Sequence, residues 1–418
     1  MSMARRPVPP RTGAPAGFSL TLVAVVAFVA VTYNPTTGAA YAATPPATTP
    51  SAPEKVPVFS PTDLGFVSCR IPGLVVTDKG TLVAYCEARR GKGGDWDPTE
   101  ILVRRSGDGG RTWDGPSRLA GGADGDRRTY NNPLAIADPA GGIVHFLYCV
   151  DYARCYYRRS GDDGRTFSAP VDITPTFDAF RPEYDWNVIA TGPTHGVRLS
   201  TGRLLVPVWL STGGKKHHPS AVATVYSDDA GKTWRRGEIA IRSTAEVPYP
   251  NETVAVELSD GRVMLNARNE AARQRRVVTT SQDGATGWTA PAFDDALVEP
   301  VCNASIVRLP DPAAPGRGQL VFANPDSLEP RSAKPLAPGQ RKVSKRQNLT
   351  LRLSEDDGKT WTASRTLEPG PAAYSDLGAG TDGTIYCLYE VDGGLTIARV
   401  TAAWVAEDRR SSSGPAGR

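Results

Sequence analysis

Histidine and methionine are scarce in this chain, at four and three residues of 418, and the six cysteines form no CxxC pair and no His/Cys cluster. That excludes the usual zinc spacings and a redox dithiol motif. Charge of one sign is not in excess either. Lys and Arg total 48 against 44 acids, and residues 1–42 hold three of the Arg and no acid, leaving about +1 for the remainder. A basic surface for nucleic acid is thereby excluded. Sustained helical periodicity is absent, and the apolar run from about Phe18 to Val31 is short for a membrane span.

What is abundant is glycine, 42 residues, and proline, 36, which favours a turn-rich β protein. Arg5, Arg6 and Arg11 precede the apolar run and Ala40-Tyr41-Ala42 follows it. Residues 1–42 therefore read as a signal peptide for secretion, cleaved after Ala42, with a single membrane anchor as the alternative. The Arg5-Arg6 pair raises a twin-arginine route, although the residues after it fit poorly. Residues 43–56 read as a Pro/Thr-rich linker, 57–405 as the folded domain and 406–418 as a disordered tail. Cys69, Cys86, Cys149, Cys155, Cys302 and Cys387 mostly fall in strand-like runs, so buried thiols are expected, with Cys149–Cys155 the pair best placed to bridge. The charged loop around Asp124 does not have the ligand spacing of a calcium loop.

An eight-residue phrase, Ser-x-Asp-x-Gly-x-Thr-Trp, begins at Ser106, Ser160 (with Phe last), Ser227 and Ser354, with a worn copy at Ser281. Ser and Asp can bond nearby backbone amides, Gly can take positive φ, and the aromatic packs beneath, so each copy reads as a structural turn. Between the copies lie six two-strand runs flanking a Gly- or Asp-containing turn, starting at Arg70, Asn132, Gly192, Asn251, Asn303 and Ala372. Six such units, none able to bury its faces alone, predict an all-β fold: a six-bladed β-propeller of four-stranded antiparallel blades. Hairpin register locates the polar residues. Turns at Asp260-Gly261, Lys79-Gly80 and Asp382-Gly383 would set Glu252 opposite Asn269 and beside Arg268, Arg70 facing Arg89, and Tyr374 beside Glu390. All fall at the open hairpin ends, where the following loops carry Asp95 and Arg346. The repeated phrases belong on the opposite rim.

In these elements the sequence resembles the exo-α-sialidases (neuraminidases) of bacterial type, over residues 57–405. The phrase looks like their Asp box and Arg70-Ile71-Pro72 like their Arg-Ile-Pro motif. Asn251–Asn269 is similar to the strand pair carrying a Glu and a central Arg, and the segment from Ser344 to the third Arg with its following box. The run AAYSDL from Ala372 resembles the nucleophile segment, and CLYE ending at Glu390 the late Glu. Cys69 stands where an aromatic is common in that family, so the nearby wall is expected to differ.

The resemblance implies a secreted, retaining glycoside hydrolase that removes terminal sialic acids from glycans, glycoproteins or glycolipids, as a monomer without cofactor or metal. It implies Arg70, Arg268 and Arg346 as a triad for the sugar carboxylate, which forked guanidinium groups bind better than ammonium. Glu390 would orient Arg70. Tyr374 would be the nucleophile and Glu252 its base, because a neutral phenol escapes repulsion by that carboxylate. Asp95 would be the general acid/base, its pKa raised by partial burial, on a Gly-rich mobile loop; Asp97 is the competing choice. Arg89 would contact sugar hydroxyls. Trp209, His195 and Asn132 also fall at open hairpin ends, but core or loop roles are expected of them. A trans-sialidase would share these residues, although no obvious lectin domain follows the propeller. A glycosidase for a related keto-acid sugar would change the side pockets, and a non-catalytic Asp-box propeller would have no use for Tyr374, Glu252 and Asp95.

Overall fold

A computed structural model describes residues 52–123, 125–311, 313–314, 316–330 and 343–407. The expected signal peptide, most of the linker, Asp124 and most of the tail lie outside them. Six sheets follow one another along the chain. Their innermost strands are Ser68–Val76, Tyr130–Ala137, the broken strand from Val188 to Arg198, Thr253–Glu257, Ser305–Arg308 and Ser375–Ala379. Six apolar clusters fill the gaps between neighbouring sheets, including the gap between last and first, so the sheets close into a ring. This is the six-bladed propeller expected.

One strand illustrates how the sequence dictates this. In Leu82–Arg89 every residue is buried, and successive side chains point to opposite faces. Leu82, Ala84, Cys86 and Ala88 pack toward the sixth blade, Val83 and Tyr85 toward the second. Glu87 and Arg89 continue the second set, which carries two charges to the end of a buried strand.

The boxes form the turns between third and fourth strands of the first five blades. In the first, Asp108 Oδ1 accepts the N–H groups of Arg111 and Thr112, both at 3.0 Å, and the Ser106 hydroxyl at 2.8 Å, while the Gly110 N–H donates to Ser106 Oγ at 2.8 Å. The worn copy keeps this scheme, with Asp283 accepting from the N–H groups of Ala285 and Thr286.

Two expectations need correction. Glu54–Phe59, partly assigned to the linker, is the outer strand of the sixth blade, paired antiparallel with Gly394–Val400 because Val58 and Phe59 have an apolar gap to fill. At the other end Ala406 closes the short helix Ala402–Ala406 and is not part of a tail. Each blade has the four antiparallel strands expected, and the third has short additions: Val188–Thr191 and Val197–Arg198 both pair with Leu204–Ser211, while Thr194–His195 between them crosses to pair parallel with Leu134 and Ala135 of the second blade. All six cysteines are buried free thiols; Cys149 and Cys155 stand directly opposite one another on adjacent strands without a bond.

On the axis, Asp376 ties four blades together. It accepts the Leu74 N–H at 2.7 Å and the Ser305 hydroxyl at 2.9 Å, and lies 2.6 Å from His195 Nδ1. His195 is therefore an axial tie and not part of the site above it. Burial opposes charging its imidazole, but Asp376 outweighs burial and raises its pKa. Among the described residues no helix is long and apolar enough to cross a membrane.

Candidate active site

The hairpin turns decide the register at the open ends. Thr77–Thr81, Leu258–Arg262 and Gly380–Thr384 each close with two backbone hydrogen bonds, and Gly80, Gly261 and Gly383 take positive φ in the fourth position. These are three-residue loops where two-residue loops were assumed, so partners shift by one. Glu252 sits opposite Arg268 rather than Asn269, and Tyr374 opposite Glu390. In the first hairpin a bulge between Arg70 and Gly73 shifts register again, and Arg70 faces Glu87, not Arg89. Ile71 has φ 57 there, a costly conformation for a β-branched residue. Its compensation is visible: the Ile71 N–H turns to Glu390 Oε1 at 3.0 Å.

Tyr374, Glu252, Asp95, Arg70, Arg268, Arg346 and Arg89 all line one cavity of about 260 Å³ at the open ends of the hairpins. The Tyr374 hydroxyl donates to Glu252 Oε1 at 2.5 Å and accepts from Arg268 Nη1 at 2.7 Å. The same Arg268 nitrogen pairs with Glu252 Oε2. Burial, then the Glu252 charge, push the tyrosine pKa well above 10, although Arg268 and Arg346 pull it back. Arg70 and Arg346 lie over the tyrosine ring, 5.2 and 5.0 Å from its centroid. Glu390, 8 % exposed, meets Arg70 Nε at 3.2 Å. Arg346 donates Nη2 to the Val301 carbonyl at 2.7 Å, and the Nε groups of Arg268 and Arg346 are buried with no partner among the described residues. Three guanidinium groups thus converge with donors unspent, which suits an anionic ligand.

Asp95 reaches the cavity and Asp97 does not. Asp97 Oδ2 accepts the N–H groups of Lys92 and Gly94, which shapes the loop. That loop is already seated, Trp96 packing on Tyr152 at 4.5 Å and on His217 at 5.6 Å between ring centroids. The expected upward pKa shift of Asp95 is not found. Burial pushes it up, but Arg89, by charge and hydrogen bond, and Arg70 hold it below the ordinary carboxylate range. Arg89 sends Nε and Nη2 to Glu87 and Nη1 to the Gly93 carbonyl and Asp95, which engages most of its fork inside the protein.

Asn132 and Trp209, expected in core or loop roles, line the cavity with Tyr152, His217 and Glu87. Glu87 had a legible signal, an acid two residues before Arg89 in a strand otherwise apolar. Tyr152 and His217 had none, since each reaches the cavity through a positive φ in an irregular loop. A larger cavity of about 420 Å³ opens at the turn ends of the inner strands, but its charged groups are engaged: Glu257 by Ser200, Arg308 by Asp357, Arg198 by Asp138. Among the described residues no group of His, Cys, Asp and Glu is placed to hold a metal ion.

A six-bladed, Asp-box propeller with carboxylates, a tyrosine and an arginine cluster on one face defines the class, and comparison with known proteins narrows it. Residues 80–387 match the family described as a BNR repeat-like domain. A sialidase of Micromonospora viridifaciens is 32% identical over 392 residues, covering 85% of this chain and 56% of that protein. A sialidase of Bacteroides fragilis is 28% identical over 353 residues, covering 77% and 59%. Among solved structures, a Hadza microbial sialidase superposes with a TM-score of 0.69 at 24% identity, covering 84% of this chain and 69% of that one. The chain belongs to the BNR-repeat family, with the bacterial-type sialidases. It spans a little over half the length of the two curated relatives.

Proposed function

We propose that the protein is a secreted exo-α-sialidase that hydrolyses terminal α-linked sialic acids of glycoconjugates with retention, through a covalent tyrosyl intermediate. The observation that carries this reading is the Tyr374 hydroxyl held between Glu252 and Arg268 beneath the other two guanidinium groups. A sugar bearing a carboxylate on its anomeric carbon would repel an Asp or Glu nucleophile; a phenol is neutral until it attacks. With its pKa pushed up, Tyr374 needs a base, and Glu252 is already bonded to its proton.

In the first step Tyr374 Oη forms a bond to the anomeric carbon and its proton passes to Glu252. The glycosidic bond breaks as Asp95 protonates the departing oxygen. In the second step Asp95 takes a proton from water, whose oxygen displaces Tyr374, and Glu252 returns the proton to the phenol. Arg70, Arg268 and Arg346 hold the carboxylate throughout.

The test is hydrolysis of a fluorogenic sialoside by the wild type and by Tyr374→Phe. Wild-type turnover and its loss in the variant are expected, with the α-anomer of free sialic acid as first product by NMR. A wild type inert toward sialic acid and its deaminated analogue alike defeats the enzyme reading. Early β-anomer defeats the covalent route alone.

A further inference from the structure

Glu87 and Arg89 belong to no step above, yet they are among the most deeply buried charges in the molecule, each 1 % exposed. Being two apart on one strand, they project from the same face. Glu87 Oε2 accepts from Arg89 Nε at 2.9 Å and Nη2 at 2.6 Å, and Glu87 Oε1 accepts the Asn132 N–H at 2.7 Å. The guanidinium is therefore clamped, and its remaining nitrogen, Nη1, meets the Gly93 carbonyl at 3.2 Å and Asp95 Oδ1 at 2.7 Å. Arg70 Nη1 lies 4.0 Å from that same oxygen.

We infer that Arg89, fixed by Glu87, is a positioning residue that parks Asp95 as a carboxylate in the empty site, and that an anionic sugar binding at Arg70 releases Asp95 to take up the proton it later donates. This rests on the reading of Asp95 as the acid. As found, Asp95 is suited to accept a proton but not to give one. The groups facing it are the cations Arg89 and Arg70, the anions Glu87 behind Arg89 and Glu252 across the cavity, and the Tyr152 and His217 rings. Burial lowers the His217 pKa, so this ring adds little positive charge near neutrality. A ligand carboxylate on Arg70 cancels one of the two cations and adds an anion nearby, while the sugar excludes water; both changes favour the protonated acid. The proton comes from solvent and adds to an Asp95 oxygen. No other bond changes, and the enzyme draws its acid only when there is a substrate to spend it on.

The experiment is isothermal titration of 2-deoxy-2,3-dehydro-N-acetylneuraminic acid into the full chain near pH 6.5, in buffers of different ionisation enthalpy. Uptake on the order of one proton per ligand is expected for the wild type, and none for Asp95→Asn, which still binds. Binding without uptake in the wild type overturns the parking and leaves the sialidase reading intact. Absence of binding removes that reading and this proposal with it. A second arm uses Glu87→Gln, which leaves the Arg89 charge unbalanced and lowers Asp95 further. The alkaline limb of kcat then moves to lower pH by about one unit. A merely structural Glu87 would lower kcat evenly, and an unmoved limb overturns its assigned part.

Discussion

Replacing Arg346 with Lys tests the proposed carboxylate-binding site separately from the proposed chemistry. Arg268 would be a poorer choice, because it also bonds Tyr374 and Glu252. Arg346 spends Nη2 on the Val301 carbonyl and keeps a buried Nε with no partner among the described residues. Lysine preserves the positive charge but offers no planar fork, so the variant loses at least one charge-assisted hydrogen bond to a bound carboxylate. Such bonds are worth about 1.5–3 kcal/mol. That corresponds to affinity weaker by about 10- to 150-fold. The assay is the Kd of the dehydro-sialic acid analogue by calorimetry, with thermal unfolding alongside. Affinity within about twofold of wild type, in a variant that unfolds normally, would be too small for one lost charged bond and would refute the assignment.

Two other perturbations test the scaffold. Arg276, fully buried, meets Glu299 Oε2 at 2.6 Å and the Cys302 carbonyl at 3.1 Å, clamping the segment beside Tyr374, so Glu299→Leu strands a buried cation and should cost about 3–5 kcal/mol in urea unfolding. A loss of only about 0–1 kcal/mol, typical of a surface pair, would show that the clamp is idle. At the boxes, the Thr233 N–H and hydroxyl, with the Ser227 hydroxyl, hold the Asp229 carboxyl at about 2. A depressed folded pKa contributes stability above the unfolded value near 3.9, and loses it as pH falls toward 2. The Tm of Asp229→Asn should therefore fall less steeply than that of wild type between about pH 4 and 2, and parallel slopes would contradict this.

The architecture was legible because it repeats: five boxes and six hairpins are a strong signal even when each copy is weak. The grouping of the candidate residues was legible because they stand at hairpin ends, which is why Tyr374, Glu252 and the arginines line one cavity. What was not legible was register to a single residue. A three-residue loop and a two-residue loop look alike in a Gly-containing run, and the bulge at Ile71 has no sequence mark beyond the proline that follows it. Those two details decide that Arg70 faces Glu87 and that Arg89 turns inward. The pKa of Asp95 was misjudged for a related reason: burial alone was visible, whereas the two guanidinium groups that overrule it come from side-chain directions.

The strand Glu54–Phe59 completes the sixth blade by pairing with Gly394–Val400, and that blade also carries Tyr374 and Glu390. Glu252 and Arg268 come from the fourth blade and Arg70 from the first. On a growing polypeptide Tyr374 is made late, and it meets Arg70 only once the first and sixth blades have come together. Under the proposed function, the appearance of turnover during refolding would thus clock closure of the whole ring and lag spectroscopic probes of individual sheets, and a chain lacking its first strand would be expected to leave a sheet edge exposed, inviting the same strand from a neighbour.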